Sequence, residues 1–184
     1  MEIRSADNTL TLRPWLPRDV PALVKAHADP GMRRWLLRHI EDEEQARDAI
    51  AHQEEEWADG TRFVFAVTAA TAVTSADESE PVGSVSVKRI SRISDAPGAA
   101  EVGYWTASEA RGLSIAVRAV EAALPWAAEQ WAADGAPVSR FELIHTIGND
   151  ASCRVAEKLG FELAEQLPPH PPKFPEPGHL HVRH

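Results

Sequence analysis

The chain has one cysteine, one tyrosine and two methionines, and no apolar run approaches the ~20 residues needed to cross a bilayer. A single thiol, Cys153, can close no internal disulfide, so oxidative stapling is excluded. With neither an apolar span nor a signal-peptide pattern, the expected location is the cytoplasm. Basic residues are also scarce: 19 Lys and Arg against 28 Asp and Glu leave a formal charge of −9. A surface of that sign repels phosphate backbones, which argues against nucleic acid as a partner. It favours cationic amines, or serves solubility alone.

What is present is an ordinary globular balance, 43% hydrophobic and 26% charged over 184 residues. That length buries a sizeable core and is short for two ordinary domains, so residues 1–184 are read as one domain.

Along the chain, Thr9–Arg13 alternates as a strand before Pro14 and Pro17, and Asp19 is placed to cap a helix over Val20–Ala28. Residues Asp42–Ala58 carry apolar side chains at helical spacing and end at Asp59-Gly60. Arg62–Thr68 and Val82–Arg89 read as antiparallel strands around an Ala/Thr/Ser/Asp/Glu-rich loop, residues 69–80. A strand over Ala100–Thr106 passes into a helix running to about Ala133, with a kink predicted at Pro125. Arg140–Ile147, Asn149–Leu159 and Phe161–Leu167 read as strand, helix and strand. A Pro-rich segment over 168–178 precedes a last strand, His179–His184, expected antiparallel beside Phe161–Leu167. The sum is mixed α/β.

The informative stretch is Glu101-Val-Gly-Tyr-Trp-Thr-Ala-Ser-Glu-Ala-Arg-Gly-Leu-Ser-Ile-Ala116, in which a strand delivers a loop into a helix N-terminus. Unpaired N–H groups at the positive end of a helix dipole bind pyrophosphate without needing lysines.

Arg111-Gly112-Leu113-Ser114-Ile115-Ala116 resembles the Gln/Arg-x-x-Gly-x-Gly/Ala cofactor loop of the GNAT acetyltransferases, with Ser114 at the middle glycine. Asn149-Asp-Ala-Ser-Cys-Arg-Val-Ala-Glu-Lys-Leu-Gly-Phe161 is similar to that family's Asn-x-x-Ser helix and the strand start after it. Thr9–Arg13 is similar to its opening Leu-x-Leu-Arg-Pro strand. The likeness is nearest to the RimJ/RimL-like branch, which acetylates ribosomal-protein N-termini.

The resemblance implies one domain with a mostly antiparallel twisted sheet of about six to seven strands, splayed at the cofactor site, and about four helices. It implies acetyl-CoA as co-substrate and a primary amine as acceptor, in a protein or a small molecule. Gly103, Tyr104, Trp105 and Thr106 would meet the pantetheine arm, and Arg111, Gly112, Leu113, Ser114, Ile115 and Ala116 the pyrophosphate. Asn149 and Ser152 would face the cofactor, and Arg154 one of its phosphates. Glu101 stands where the family often has a general base; the alternative is an exposed strand-end carboxylate. Ser152 or Tyr104 is the candidate proton donor to the leaving thiolate. Asn149 and Ser152 also fit a plain helix cap. On the first helices, Trp35, Trp57 and Arg34 are candidates for the acceptor wall, and Arg33 and Arg38 lie beside them.

Three other readings compete. His179-Leu-His181 puts two imidazoles on one strand face, near His170 or His184, but with no matched carboxylate or cysteine no metal is expected. Cys153 with His145 could be a nucleophile pair, against the plainer reading of a small packed residue. A catalytically weak acyl-CoA sensor on the same fold is the non-enzyme alternative. Monomer and homodimer both fit the sequence.

Overall fold

The computed structural model describes residues 1–70, 73, 79–89, 98–172 and 174–184. Most of the loop expected over 69–80 therefore lies outside the described residues.

The strands are β1 (Ile3–Arg4), β2 (Leu10–Pro14), β3 (Arg62–Ala69), β4 (Gly83–Lys88), β5 (Ala99–Thr106), β6 (Arg140–Thr146), β7 (Glu162–Leu167) and β8 (Gly178–Arg183). The helices are α1 (Val20–His27), α2 (Pro30–Arg33), α3 (Glu43–Ala58), α4 (Ile115–Ala133) and α5 (Asp150–Lys158). The strands form one sheet in the order β1-β2-β3-β4-β5-β6-β8-β7. Among the described residues its only parallel pair is β5 with β6.

Strand β3 shows why the sheet is covered on both faces. All its residues after Arg62 are buried, as a central strand requires. Phe63, Phe65 and Val67 point into one cluster with Val120, Ala123, Leu124 and Ala127 of α4. Val64 and Ala66 point the other way, into a cluster with Trp15, Val20, Leu23, Ala46 and Ile50. Period-two alternation thus serves α4 and α5 on one face and α1 and α3 on the other. Each aliphatic side chain buried this way contributes about 1.5–3 kcal/mol.

Eight strands and five helices exceed the expected six to seven and four. The additions are short elements with little periodicity to read: two-residue β1 and four-residue α2, whose N-cap Asp29 accepts the Met32 N–H at 2.7 Å. Asp19 precedes α1, but its side chain does not cap it. The buried carboxylate instead takes two bonds from Arg13, at 2.5 and 2.9 Å, and one from the Leu16 N–H. Helix α4 runs uninterrupted through Pro125. Pro125 and the residue one turn earlier, Glu121, are both exposed, so the carbonyl it leaves without an amide donor faces water.

The last strand carries the largest topological surprise. It does lie antiparallel to β7, but it inserts between β7 and β6, pairing His179 with His145 and His181 with Leu143. Among the described residues, no helix is long and apolar enough to cross a membrane.

Candidate active site

Strands β5 and β6 stay paired only from Ala99↔Arg140 to Val102↔Leu143, and beyond that register they part. Strand β5 stays bonded to β4 as far as Thr106. The Ala107 N–H reaches the Val82 carbonyl at 2.9 Å, toward β4. By alternation the backbone groups of Tyr104 and Thr106 face the opening, where an extended amide chain can pair with them. Gly103 is tightly placed for a different reason, since a Cβ there would sit 3.0 Å from the Ser86 Oγ.

At the mouth of this opening a short 3-10 turn, Ser108–Ala110, leads into the loop before α4. Gly112 has φ +81°, with nothing within 4 Å of where a Cβ would lie. Ser114 also has a positive φ, 56°, and its side chain makes no cap bond. Two left-handed residues turn the loop so that its amides face outward. The N–H groups of Gly112, Leu113 and Ser114 meet no protein acceptor among the described residues. Those of Ile115, Ala116 and Val117 precede the first helical bond, from the Arg118 N–H to the Ser114 carbonyl. Open amides at the positive end of a 19-residue helix form a concave anion site suited to a pyrophosphate.

Side chains hold this loop in ways the sequence did not signal. The Arg111 guanidinium is ion-paired to Asp29 rather than free for phosphate. Arg118 donates to the Leu113 carbonyl at 3.0 Å and to Asp7 at 2.9 Å, locking the loop to the first turn of the chain. No motif marks Arg118, because two of its partners, Asp7 and Thr9, lie more than a hundred residues away in the chain.

Across the opening, Tyr104 from β5 comes together with Ser152 from α5. The buried Tyr104 hydroxyl has no hydrogen-bond partner among the described residues. Burial pushes its pKa up to about 12, against a lowering by Ser152 and with a further rise from Cys153. The phenol is therefore protonated at neutral pH and sits beside Ser152. Ser152 is buried, and its N–H bonds the Asn149 side chain at 3.3 Å. Asn149 is thus occupied as a helix cap. Arg154 is exposed on the outer side of α5.

Glu101 is not an exposed strand end: it is 8% exposed, inside the sheet. Its register neighbours are Lys88 on β4 and Glu142 on β6, the latter fully buried and receiving the Arg140 guanidinium at 2.5 Å. Val102 and Tyr104 pack with the α4 cluster, whereas Trp105 packs with the α1 and α3 cluster. By alternation Glu101 shares the face of Trp105. The base candidate thus lies in the last paired stretch of β5 before the opening, and the acid candidate at the opening on the other face of the sheet.

On the Glu101 face, Trp105 lies 5.9 Å from Trp15, between ring centroids, and 6.1 Å from His27. Beyond Trp15 is a hollow of about 200 Å³ lined by Pro14, Trp15, Ile50, Gln53, Glu54 and Trp57. Trp57 contributes only part of its ring, because Phe63, Phe65 and Trp126 pack around it at 5.0–5.5 Å and its Nε1 donates to the Val64 carbonyl. Its role is chiefly packing. Arg34 stacks over Trp35, 4.5 Å from the ring centroid, just past α2. The reason given against a metal at His179 and His181 does not survive folding, since Cys153 and His145 converge on them.

Residues 9–162 match the family described as "Acetyltransferase (GNAT) domain". No curated protein sequence matches the chain. Solved structures do. A GNAT-family acetyltransferase from Bacillus anthracis superposes with a TM-score of 0.77 at 17% identity, covering 100% of this chain and 98% of that one. The Salmonella typhimurium acetyltransferase that modifies the N-terminal serine of ribosomal protein L7/L12 gives 0.75 at 21%, covering 99% and 98%. Mycobacterium smegmatis RimJ, in complex with CoA-disulfide, gives 0.75 at 19%, covering 100% and 85%.

Proposed function

Because the chain belongs to the GNAT acetyltransferase family and transfers acetyl from acetyl-CoA to an amine, we propose that its acceptor is a protein N-terminal α-amine and that Glu101 and Tyr104 divide the proton transfers. What supports the reading is that Tyr104 stands where β5 and β6 part and Glu101 just before that point, on the opposite face of the sheet.

Acetyl-CoA, when bound, supplies a thioester whose carbonyl carbon the amine attacks. The amides of Gly112 to Val117 hold the pyrophosphate, and the Tyr104 and Thr106 backbone groups align the pantetheine arm. The Glu101 carboxylate takes the proton that the amine nitrogen sheds as the C–N bond forms, directly or through one water. The Tyr104 Oη gives its proton to the sulfur as the C–S bond breaks, and Ser152 stands by for the same task. No covalent bond to the enzyme forms, so alignment and proton placement are the protein's whole contribution.

The α-amine reading draws on the Salmonella neighbour, which modifies an N-terminal serine, and on the negative charge of the chain, which attracts a protonated N-terminus before it is deprotonated. The test is acetyl-CoA with three acceptor sets: peptides with free N-termini, Nα-blocked peptides bearing lysine, and small amines, each followed by free-thiol release. Release confined to free N-termini is expected. Release only with small amines overturns the acceptor class, and cofactor binding without release in any set favours the sensor.

A further inference from the structure

We infer that the chain carries a structural zinc site formed by His145 of β6, Cys153 of α5, and His179 and His181 of β8. The four donor atoms all lie within 4.8 Å of one another. His145 Nε2 is 3.2 Å from His181 Nε2 and 3.4 Å from Cys153 Sγ, and Cys153 Sγ is 3.5 Å from His179 Nδ1. A tetrahedral zinc with Zn–N of about 2.0–2.1 Å and Zn–S of about 2.3 Å has donor–donor edges of roughly 3.4–3.6 Å. Two of the edges are therefore already at the length the ion imposes, and a third is about 0.2 Å shorter.

The protonation pattern points the same way. His145 Nδ1 lies 3.0 Å from the Thr146 carbonyl, which can only accept, so that nitrogen holds the proton and Nε2 turns a bare lone pair toward the cluster. This is the outer contact that fixes the tautomer of a metal-binding histidine. His181 is 4% exposed, and its Nε2 faces the same cluster. Hydrogen bonds among the four groups can satisfy some of these lone pairs, whereas one divalent cation satisfies all four donors. Asp150 and Glu157, one turn either side of Cys153 on α5, add negative potential without entering the set.

Four protein ligands close the coordination sphere, which marks a structural ion rather than one that activates water. Zinc uptake releases the Cys153 proton and forms one Zn–S and three Zn–N bonds. The ion ties the first turns of α5 to β6 and β8 and so fixes Ser152, the residue before Cys153, against Tyr104.

The test uses tag-free protein, reduced and stripped with a chelator, then titrated with zinc and separately with cobalt(II). One equivalent of zinc, tetrahedral cobalt absorption and a sulfur-to-cobalt charge-transfer band are expected. Cys153→Ser should abolish that band, Cys153→Ser and His181→Ala should each weaken binding by at least about tenfold, and His170→Ala should leave it unchanged. Should a variant misfold, the unmodified chain still answers: bound zinc must slow alkylation of Cys153. No stoichiometric binding, octahedral cobalt, an equal effect of His170→Ala, or unchanged alkylation would each overturn the site.

Discussion

Arg111, at the head of the cofactor loop, is ion-paired to Asp29, the N-cap of α2. Gly31 leaves the room for this, since a Cβ there would sit 3.0 Å from the Arg111 Nη1. The loop that meets the cofactor is thereby tied to the helices beside the acceptor cleft. Both side chains are partly exposed, 45% and 21%, so the pair contributes only about 0–1 kcal/mol of stability. Asp29→Asn should leave the thermal midpoint nearly unchanged while raising the KM for acetyl-CoA several-fold as the loop loosens. Unaltered steady-state kinetics would show that the pair does not position the loop.

Ser114 holds a left-handed conformation that glycine adopts without strain, with φ at 56°. Relief of that strain, about 1–2 kcal/mol, is partly offset by the freedom glycine adds to the unfolded chain. Ser114→Gly should therefore gain about 1 kcal/mol or less in urea unfolding and keep or improve acetyl-CoA affinity. Gly112→Ala, at φ +81°, should lose a comparable amount and weaken affinity. Equal cofactor affinity across both variants and the parent would count against the pyrophosphate grip.

Tyr104→Phe removes a buried hydroxyl with no hydrogen-bond partner in good geometry among the described residues. Leaving such a group unsatisfied costs about 1–3 kcal/mol, so the variant should be as stable as the parent or more so. Its kcat should fall while the Kd for acetyl-CoA holds. A stable variant with full turnover would assign the proton transfer to Ser152 instead.

For Glu101→Gln, a near-isosteric change at a buried position, turnover should drop by roughly 10²-fold or more with cofactor binding preserved. Turnover within a few-fold of the parent would place the base elsewhere.

His27 is 6% exposed and accepts the Ile40 N–H on Nδ1 at 3.3 Å. Burial, reinforced by His39 and Arg33 and opposed by Glu41, lowers its pKa from 6.5 to about 4. The unfolded chain takes up this proton below pH 6.5 and the folded one does not. The stabilisation is whole above pH 6.5 and is lost as pH falls toward 4, amounting to on the order of 3 kcal/mol. Urea midpoints followed across that window should fall less steeply for His27→Gln than for the parent.

Much of this was legible along the chain, because it is written in short-range patterns. The alternation of β3, the apolar stripe of α4, the strand-loop-helix around Gly112 and the Asn149 cap each depend on neighbours within a few residues. Backbone sterics and burial act at that range, so the elements and the open amides before α4 follow from the sequence alone. Tertiary structure decided what those elements bring together. Glu101 reads as a strand-end carboxylate until β4 and β6 close on it. Arg111 reads as a phosphate ligand until α2 delivers Asp29. His179 and His181 read as a pair lacking a cysteine until β8 inserts beside β6 and sets them against His145 and Cys153, 26 to 36 residues earlier in the chain. Strand order is set by the burial of whole faces, a global balance to which no local pattern points, and it is that order which places the donors together.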